Sequence, residues 1–487
     1  MVKRQVMSYK SVSRLVGNFT SLLTSEVVNR ATTFVLYALI ARYLGAYELG
    51  QLSLALTLFF MSQFIAGAGL KILITREVAK DRTKTGPYLV NGSAIVTVCS
   101  LLTITALFIF VRLMNYSPET ASIILLLSLG ILPFSLSVIN KAVFQAWERM
   151  YYIAWANVPV NIAKVGLAFI LLWQGFGLFE LILLLLVSHI TILGVEWVLM
   201  FRHIIRPRVS IVWHFCKEMI RSTTTFLGIN AIVAINASLD ILLLSRLTDE
   251  TQVGLYSAAA QLIAPLIVIY ESVIMSVFPE MCKRFTTGIE GLKRISFNVL
   301  ELLLAITLPI VIGLFFLAEP ALTSLYGKEE FVLATPVLRI LAFTLILRAF
   351  IHVLGRDLVA SQREHVTFYI VVLSTLFRLI LGLILIIKYG LIGVAAAALA
   401  TVFVEFLLHY LSVSKSLFHI PVVRLAWRPT VASACMAVYL LLVGYRGSVV
   451  TAGYAFLLYA AILFILLVWS NGGPHQFRVK YQYLLYR

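Results

Sequence analysis

Ala41-Arg42-Tyr43-Leu44-Gly45-Ala46-Tyr47-Glu48-Leu49-Gly50-Gln51-Leu52-Ser53-Leu54-Ala55 joins two long apolar runs. The same plan returns at Ser245-Arg246-Leu247-Thr248-Asp249-Glu250-Thr251-Gln252-Val253-Gly254-Leu255-Tyr256-Ser257-Ala258-Ala259. Arg, Gly, Ser and Ala recur in one register at an offset of 204, with aliphatic residues before the glycine in both copies. The apolar runs on either side are about 20 residues long, the length an α-helix needs to cross a bilayer core of roughly 30 Å. Six such runs separate the copies. An even spacing preserves orientation, so the halves are expected to be parallel repeats about an axis along the membrane normal, with a cavity between them.

Outward from that turn, the pattern holds over the whole chain. Of 487 residues, 61% are hydrophobic and 13% charged, and the mean hydropathy is +0.97. No soluble protein of this size has so little polar material. The expected spans are 17–41, 48–70, 88–112, 121–140, 152–173, 178–201, 218–245, 254–280, 296–318, 332–352, 366–387, 391–412, 428–444 and 449–469. Gly86-Pro87, Pro118, Gly175, Gly390 and Gly444 punctuate them. The sequence thus predicts an all-α integral membrane protein of about 14 transmembrane helices. Two pseudo-symmetric six-helix lobes (1–209 and 210–420) are followed by a C-terminal helix pair with a cytoplasmic tail (421–487).

The formal charge of +17 would suggest nucleic acid in a soluble chain. Here the positive-inside rule explains it instead. Of 39 lysines and arginines, 28 fall at the N-terminus, in the even-numbered connections and their edges, or in the tail. Both termini are therefore expected in the cytoplasm. Trp147, Tyr151, Tyr152 and Trp155 read as an interfacial aromatic belt.

Ionisable groups inside spans are expensive and should face protein or water. Glu26, Asn29 and Arg30 lie in the first span, with Glu26 and Arg30 an i,i+4 pair near mid-bilayer. Asn236 and Asp240 share a face of the seventh. Lys164, Glu271 and Arg348 lie within others. These eight are the candidate cavity residues, and the polar strips have an alternative as helix-to-helix hydrogen-bonding seams. Deep arginine and lysine suit a diphosphate, and Asn, Ser and Thr suit sugar hydroxyls. Buried acids such as Asp240 or Glu271 suit H+ or Na+. No phosphate-binding Gly-x-x-x-x-Gly-Lys-Ser/Thr loop, zinc-protease or nucleophile-elbow motif occurs, so neither ATP hydrolysis nor another catalytic function is expected.

Several stretches carry a resemblance: Ala41 to Gly50, Arg76-Glu77-Val78-Ala79-Lys80, Asp240 to Ser245, Gly254-Leu255-Tyr256-Ser257, Leu325-Tyr326-Gly327, Pro336 to Ala342 and Tyr389 to Ala395. Over nearly its whole length the chain resembles the polysaccharide-export branch of the multidrug and oligosaccharidyl-lipid exporter superfamily. The resemblance implies a flippase that carries a polyprenyl-diphosphate-linked oligosaccharide across the cytoplasmic membrane by alternating access. It implies no resident cofactor, and leaves H+, Na+ or the membrane potential as the energy source. The expected partners are the lipid-linked sugar, membrane lipids and the glycosyltransferases or polymerase of the same pathway. The alternatives are a lipid-linked peptidoglycan-precursor flippase and a cation-coupled small-molecule exporter.

Overall fold

A computed structural model describes residues 9–67, 69–206, 208, 210–443 and 449–470. The side chains of 9–16, 19, 224–233 and 449 are also outside the described set. The expected cytoplasmic tail, the basic residues Lys3 and Arg4, and Gly444 lie outside the described residues.

The described residues form helices and no strands. In chain order these are α1 Tyr9–Tyr43, α2 Ala46–Ala66, α3 Leu70–Lys80, α4 Thr85–Met114, α5 Pro118–Ser128, α6 Ile131–Ala146, α7 Tyr151–Trp173 and α8 Leu178–His203. There follow α9 Trp213–Leu247, α10 Glu250–Thr287, α11 Ile289–Phe316, α12 Ala318–Tyr326, α13 Thr335–Ala360, α14 Glu364–Ser416, α15 Val422–Val443 and α16 Val449–Ser470. Eleven helical stretches among the described residues are long and apolar enough to cross a membrane.

Glycine decides two of the junctions. α14 runs for 53 residues but breaks at Gly390, whose φ of 53° and ψ of −126° are non-helical. In an unbroken helix residues eight apart are separated by about 12 Å. A Cβ on Gly393 would instead stand 2.0 Å from the Leu385 carbonyl oxygen. The chain therefore doubles back at Gly390, where the sequence places a break, and no loop is needed. At the repeat, a Cβ on Gly50 would meet the Glu250 carbonyl oxygen at 1.7 Å, and one on Gly254 would meet that of Ala46 at 1.8 Å. The two contacts are each other's image under the repeat. The repeated glycine is there because two backbones cross with no room for a side chain.

Local structure differs from expectation at four places. Arg76 to Lys80, expected in a connection, is the second half of α3. Gly86 and Pro87 do not break the chain but lie in the first turn of α4, where a missing N–H loses no hydrogen bond. The fourth span is divided into α5 and α6 at Leu129–Gly130, where Phe59 and His189 pack so closely that a Cβ on Gly130 would stand 3.3 and 3.5 Å from them. The stretch from Glu319 to Phe331, expected as an outward loop, is α12 followed by a 3-10 turn over Glu329–Ala334.

Packing gathers the chain into two compact units, Met1–Gly254 and Leu255–Arg487. The division falls one helix later than the repeat suggests, because α9 packs on α2, α3 and α4. The core of the first unit includes Ile74, Val78, Leu89, Val143, Phe144, Tyr152 and Met200. Tyr152 is thus interior, whereas Trp155 is 60% exposed, so the expected aromatic belt is split between core and surface. At another end of the first unit Gln51 donates to Thr120 (3.0 Å) and Thr120 donates to Glu250 (2.9 Å), tying α2, α5 and α10 together.

In the second unit α15 and α16 pack on α11 around Phe316, Ala432, Met436, Leu440, Ala455 and Tyr459. Arg428 Nη1 donates to Glu301 Oε1 at 2.6 Å, and Tyr459 Oη donates to the Ala305 carbonyl at 2.6 Å. A charged pair with bonds this short, between helices in an apolar medium, fixes α15 to α11 in one register.

Candidate functional site

The first unit encloses a cavity of about 300 Å³ walled by α1, α3, α6, α7 and α8. Its floor is α7, where Ile153, Asn157, Asn161 and Lys164 follow one another at helical spacing on one face. The asparagines are buried and their amides are bound to the helix's own carbonyls: Asn157 Nδ2 donates to Ile153 O (2.8 Å) and Asn161 Nδ2 to Asn157 O (2.9 Å). That leaves each amide oxygen facing forward as an acceptor, and each holds a lysine. Lys164 Nζ donates to Asn161 Oδ1 at 2.7 Å, and Lys141 Nζ, from α6, donates to Asn157 Oδ1 at 3.1 Å. An ammonium has three donors, so both lysines are positioned with donors to spare.

Lys71 of α3 joins them in the wall, as do Glu26 and Asn29 of α1. His189 of α8 also lines the cavity, stacked on Phe59 with ring centroids 5.4 Å apart. Three lysines and one carboxylate make a small, concave, basic site with uncharged hydrogen-bonding groups between the charges. Such a site takes a multivalent anion that carries hydroxyls.

The structure brings together Glu26, Asn29 and Lys164 among the residues singled out from sequence. Arg30 is not in the wall. Its Nε donates to Glu26 Oε1 at 2.8 Å, and the two side chains are 49% and 59% exposed. Asn236 is half-buried and Asp240 buried on α9, away from this wall. Glu271 is exposed on α10, and Arg348, near Tyr270 and His352, is half-buried on α13 of the second unit. Sequence reasoning missed Lys71 and Lys141, which it assigned to cytoplasmic connections. The i, i+4 pair Asn157–Asn161, with Lys164 three residues on, was the signal that could have found the floor.

A bundle of apolar helices with a basic pocket inside it defines a multi-pass membrane protein of the transporter class. The chain matches the polysaccharide biosynthesis protein family over residues 15–285 and the MatE family over residues 227–384. It belongs to the polysaccharide biosynthesis protein family, whose match spans more than half of it. It is 23% identical to the probable low-salt glycan biosynthesis flippase Agl15 of Haloferax volcanii, over 80% of this chain and 82% of that one. It is 27% identical to the succinoglycan biosynthesis transport protein ExoT of Rhizobium meliloti, over 69% and 66%. In fold it is similar to the lipid II flippase MurJ in an inward closed conformation, with a TM-score of 0.74 at 17% identity, covering 97% of this chain and all of that one.

Proposed function

We propose that the protein flips a polyprenyl-diphosphate-linked oligosaccharide or polysaccharide precursor across the cytoplasmic membrane by alternating access. The observation that carries this reading is the convergence of Lys71, Lys141 and Lys164 on one cavity inside an apolar helical unit. About 300 Å³ is at the lower end of ligand pockets (~300–1,000 Å³), so the site holds the charged diphosphate and its nearest hydroxyls, not a whole oligosaccharide. The three cations speak against a small cationic drug as substrate. The family and the glycan-pathway relatives support the sugar-lipid reading.

The eleven apolar helices become fourteen spans when α14 is counted twice around Gly390 and the 35-residue helices α1 and α9 are included. With the basic residues placed inside, both termini are cytoplasmic. The repeat supports lobes at 1–209 and 210–420, with α15 and α16 as an added pair. The protein acts as a carrier and not as an enzyme, energised by H+, Na+ or the membrane potential, alongside the glycosyltransferases or polymerase that make and use the carried lipid.

The test is flipping of a defined polyprenyl-diphosphate oligosaccharide by purified protein in vesicles. The reading requires outward movement by the intact chain and its loss when Lys141 and Lys164 are both replaced by alanine. Vesicles that flip equally well with the double variant would overturn the assignment of the cavity.

A further inference from the structure

Beside the cavity lies a carboxyl whose one ionic partner stands off from it. Glu196 of α8 is fully buried, and neither of its carboxyl oxygens accepts a hydrogen bond. Three polar side chains face it: Ser137 and Asn140 from α6 and Asn157 from α7. The Ser137 hydroxyl and the Asn140 amide nitrogen are themselves buried without a partner. The groups are close enough to act on the carboxyl but are not in bonding geometry. The nearest cation is Lys141, with Nζ 3.7 Å from Glu196 Oε1, and that ammonium spends its hydrogen bond on Asn157 instead. Lys141 also lines the cavity and is 20% exposed.

Buried polar groups in proteins are almost always satisfied, so several unsatisfied ones around a single carboxyl call for an explanation, such as a bound ion or a catalytic or coupling role. Here the groups surround one carboxyl and converge on one point. Lys141 is shared between this carboxyl and the anion cavity. The other basic groups on the cavity wall are Lys71 on α3, Lys164 on α7 and His189 on α8. None is placed to take over the role of Lys141.

We propose that Glu196, with Ser137, Asn140 and Asn157, forms a proton-binding site that fills when an anion in the cavity draws the Lys141 ammonium away. The inference rests on the cavity being a phosphate site, as argued above. Lys141 keeps its charge and turns it toward the phosphate oxygens. The carboxylate it leaves takes one proton from cavity water, forming an O–H that donates to the Ser137 hydroxyl or the Asn140 amide oxygen. The site is thereby neutral in both states: paired with Lys141 when the cavity is empty and protonated when it is full. Anion binding and proton uptake are then one linked event.

The experiment titrates the purified full chain with inorganic diphosphate by calorimetry, in buffers of different ionisation enthalpy, so that the heat reports protons exchanged per anion bound. Difference infrared spectroscopy on the same samples, with and without 13C-labelled glutamate, reads the carboxyl directly. The expected result is a proton uptake in the wild type that falls by about one per anion in Glu196→Gln. That variant should bind diphosphate severalfold more tightly, because Lys141 is already free. A protonated glutamate band should appear on anion addition in the wild type alone. Equal proton uptake in the two proteins, or no such band in the wild type, overturns the role of Glu196 and leaves the cavity standing. Failure of the wild type to bind diphosphate at all overturns both readings. Should Glu196→Gln fail to fold, Glu196→Asp keeps the carboxyl and must make the anion-induced band insensitive to 13C-glutamate; a band that stays label-sensitive overturns the assignment to Glu196.

Discussion

Two ion pairs between membrane helices look alike in a residue list and differ in build. Arg428 and Glu301 meet at 2.6 Å, with 22% and 33% of their side chains exposed, and lock α15 onto α11. Lys141 and Glu196 stand 3.7 Å apart, the carboxyl sealed and both its oxygens without hydrogen bonds. The first pair is a fastening closed by one short direct bond, although the Arg428 Nε beside it is buried without a partner. The second is loose, and its lysine faces a cavity with two more lysines. A direct short bond against an open separation, more than charge itself, distinguishes the pair that holds from the pair that exchanges.

The comparison is broken most directly at the cavity. Replacing Lys141 and Lys164 together with alanine removes two sets of charge-assisted hydrogen bonds, each worth about 1.5–3 kcal/mol. The buried Glu196, left without Lys141, should lower the melting temperature, and flipping per folded molecule should fall at least about a hundredfold. A fall of less than threefold would mean that the lysines are as structural as Arg428.

The fastening should fail differently. Glu301→Ala strands the Arg428 guanidinium between helices. For fully buried pairs such a loss is about 3–5 kcal/mol, and with a quarter to a third exposure about 1–2 kcal/mol is expected. The melting temperature should drop, and flipping per folded molecule should stay within about twofold. Replacing both partners with methionine sharpens the contrast. Glu301→Met with Arg428→Met should return to within about 1 kcal/mol of wild-type stability and keep transport. Lys141→Met with Glu196→Met should also fold, but should not transport. If the two double variants behave alike, the distinction between the pairs is wrong.

The smallest effect is expected at Arg30. Its pair with Glu26 is half-exposed and of the i,i+4 kind, worth about 0.3–0.5 kcal/mol. Arg30→Ala should change flipping by less than about threefold. A tenfold loss would return Arg30 to the site where the sequence placed it.

Much of the fold was legible because its cause is local. Each apolar run must satisfy its own backbone hydrogen bonds in lipid, so run length alone predicts a spanning helix. Gly390 was legible as a break for the same reason, since the chain reverses within a few residues. The recurrence of Gly50 at Gly254 was legible as a repeat, and only the reciprocal backbone contacts with Glu250 and Ala46 supply the reason for the glycine. The helical content of α3 and α12 was hidden because helices of 11 and 9 residues that carry polar and charged groups have the composition of loops.

The candidate site was less legible. Lys164 was identified by depth, since a lysine in mid-span must face something polar. Lys141 and Lys71 sit near the ends of their helices, where the positive-inside rule accounts for them and ends the inquiry. Arg30 was overvalued because its depth along α1 says nothing about the direction it faces. Asn157 and Asn161 were passed over as ordinary polar residues, although their amides orient two of the three lysines.

By itself, then, the amino-acid sequence determined an all-helical membrane protein, the break at Gly390 and the recurrence of one turn at a second place in the chain. These follow from hydrogen bonding and hydropathy along a single segment. Only the tertiary structure decided which charges meet. A helix's rotation about its own axis is set by the neighbours it packs against, and that rotation turns Lys141 toward the cavity and leaves Arg30 outside its wall.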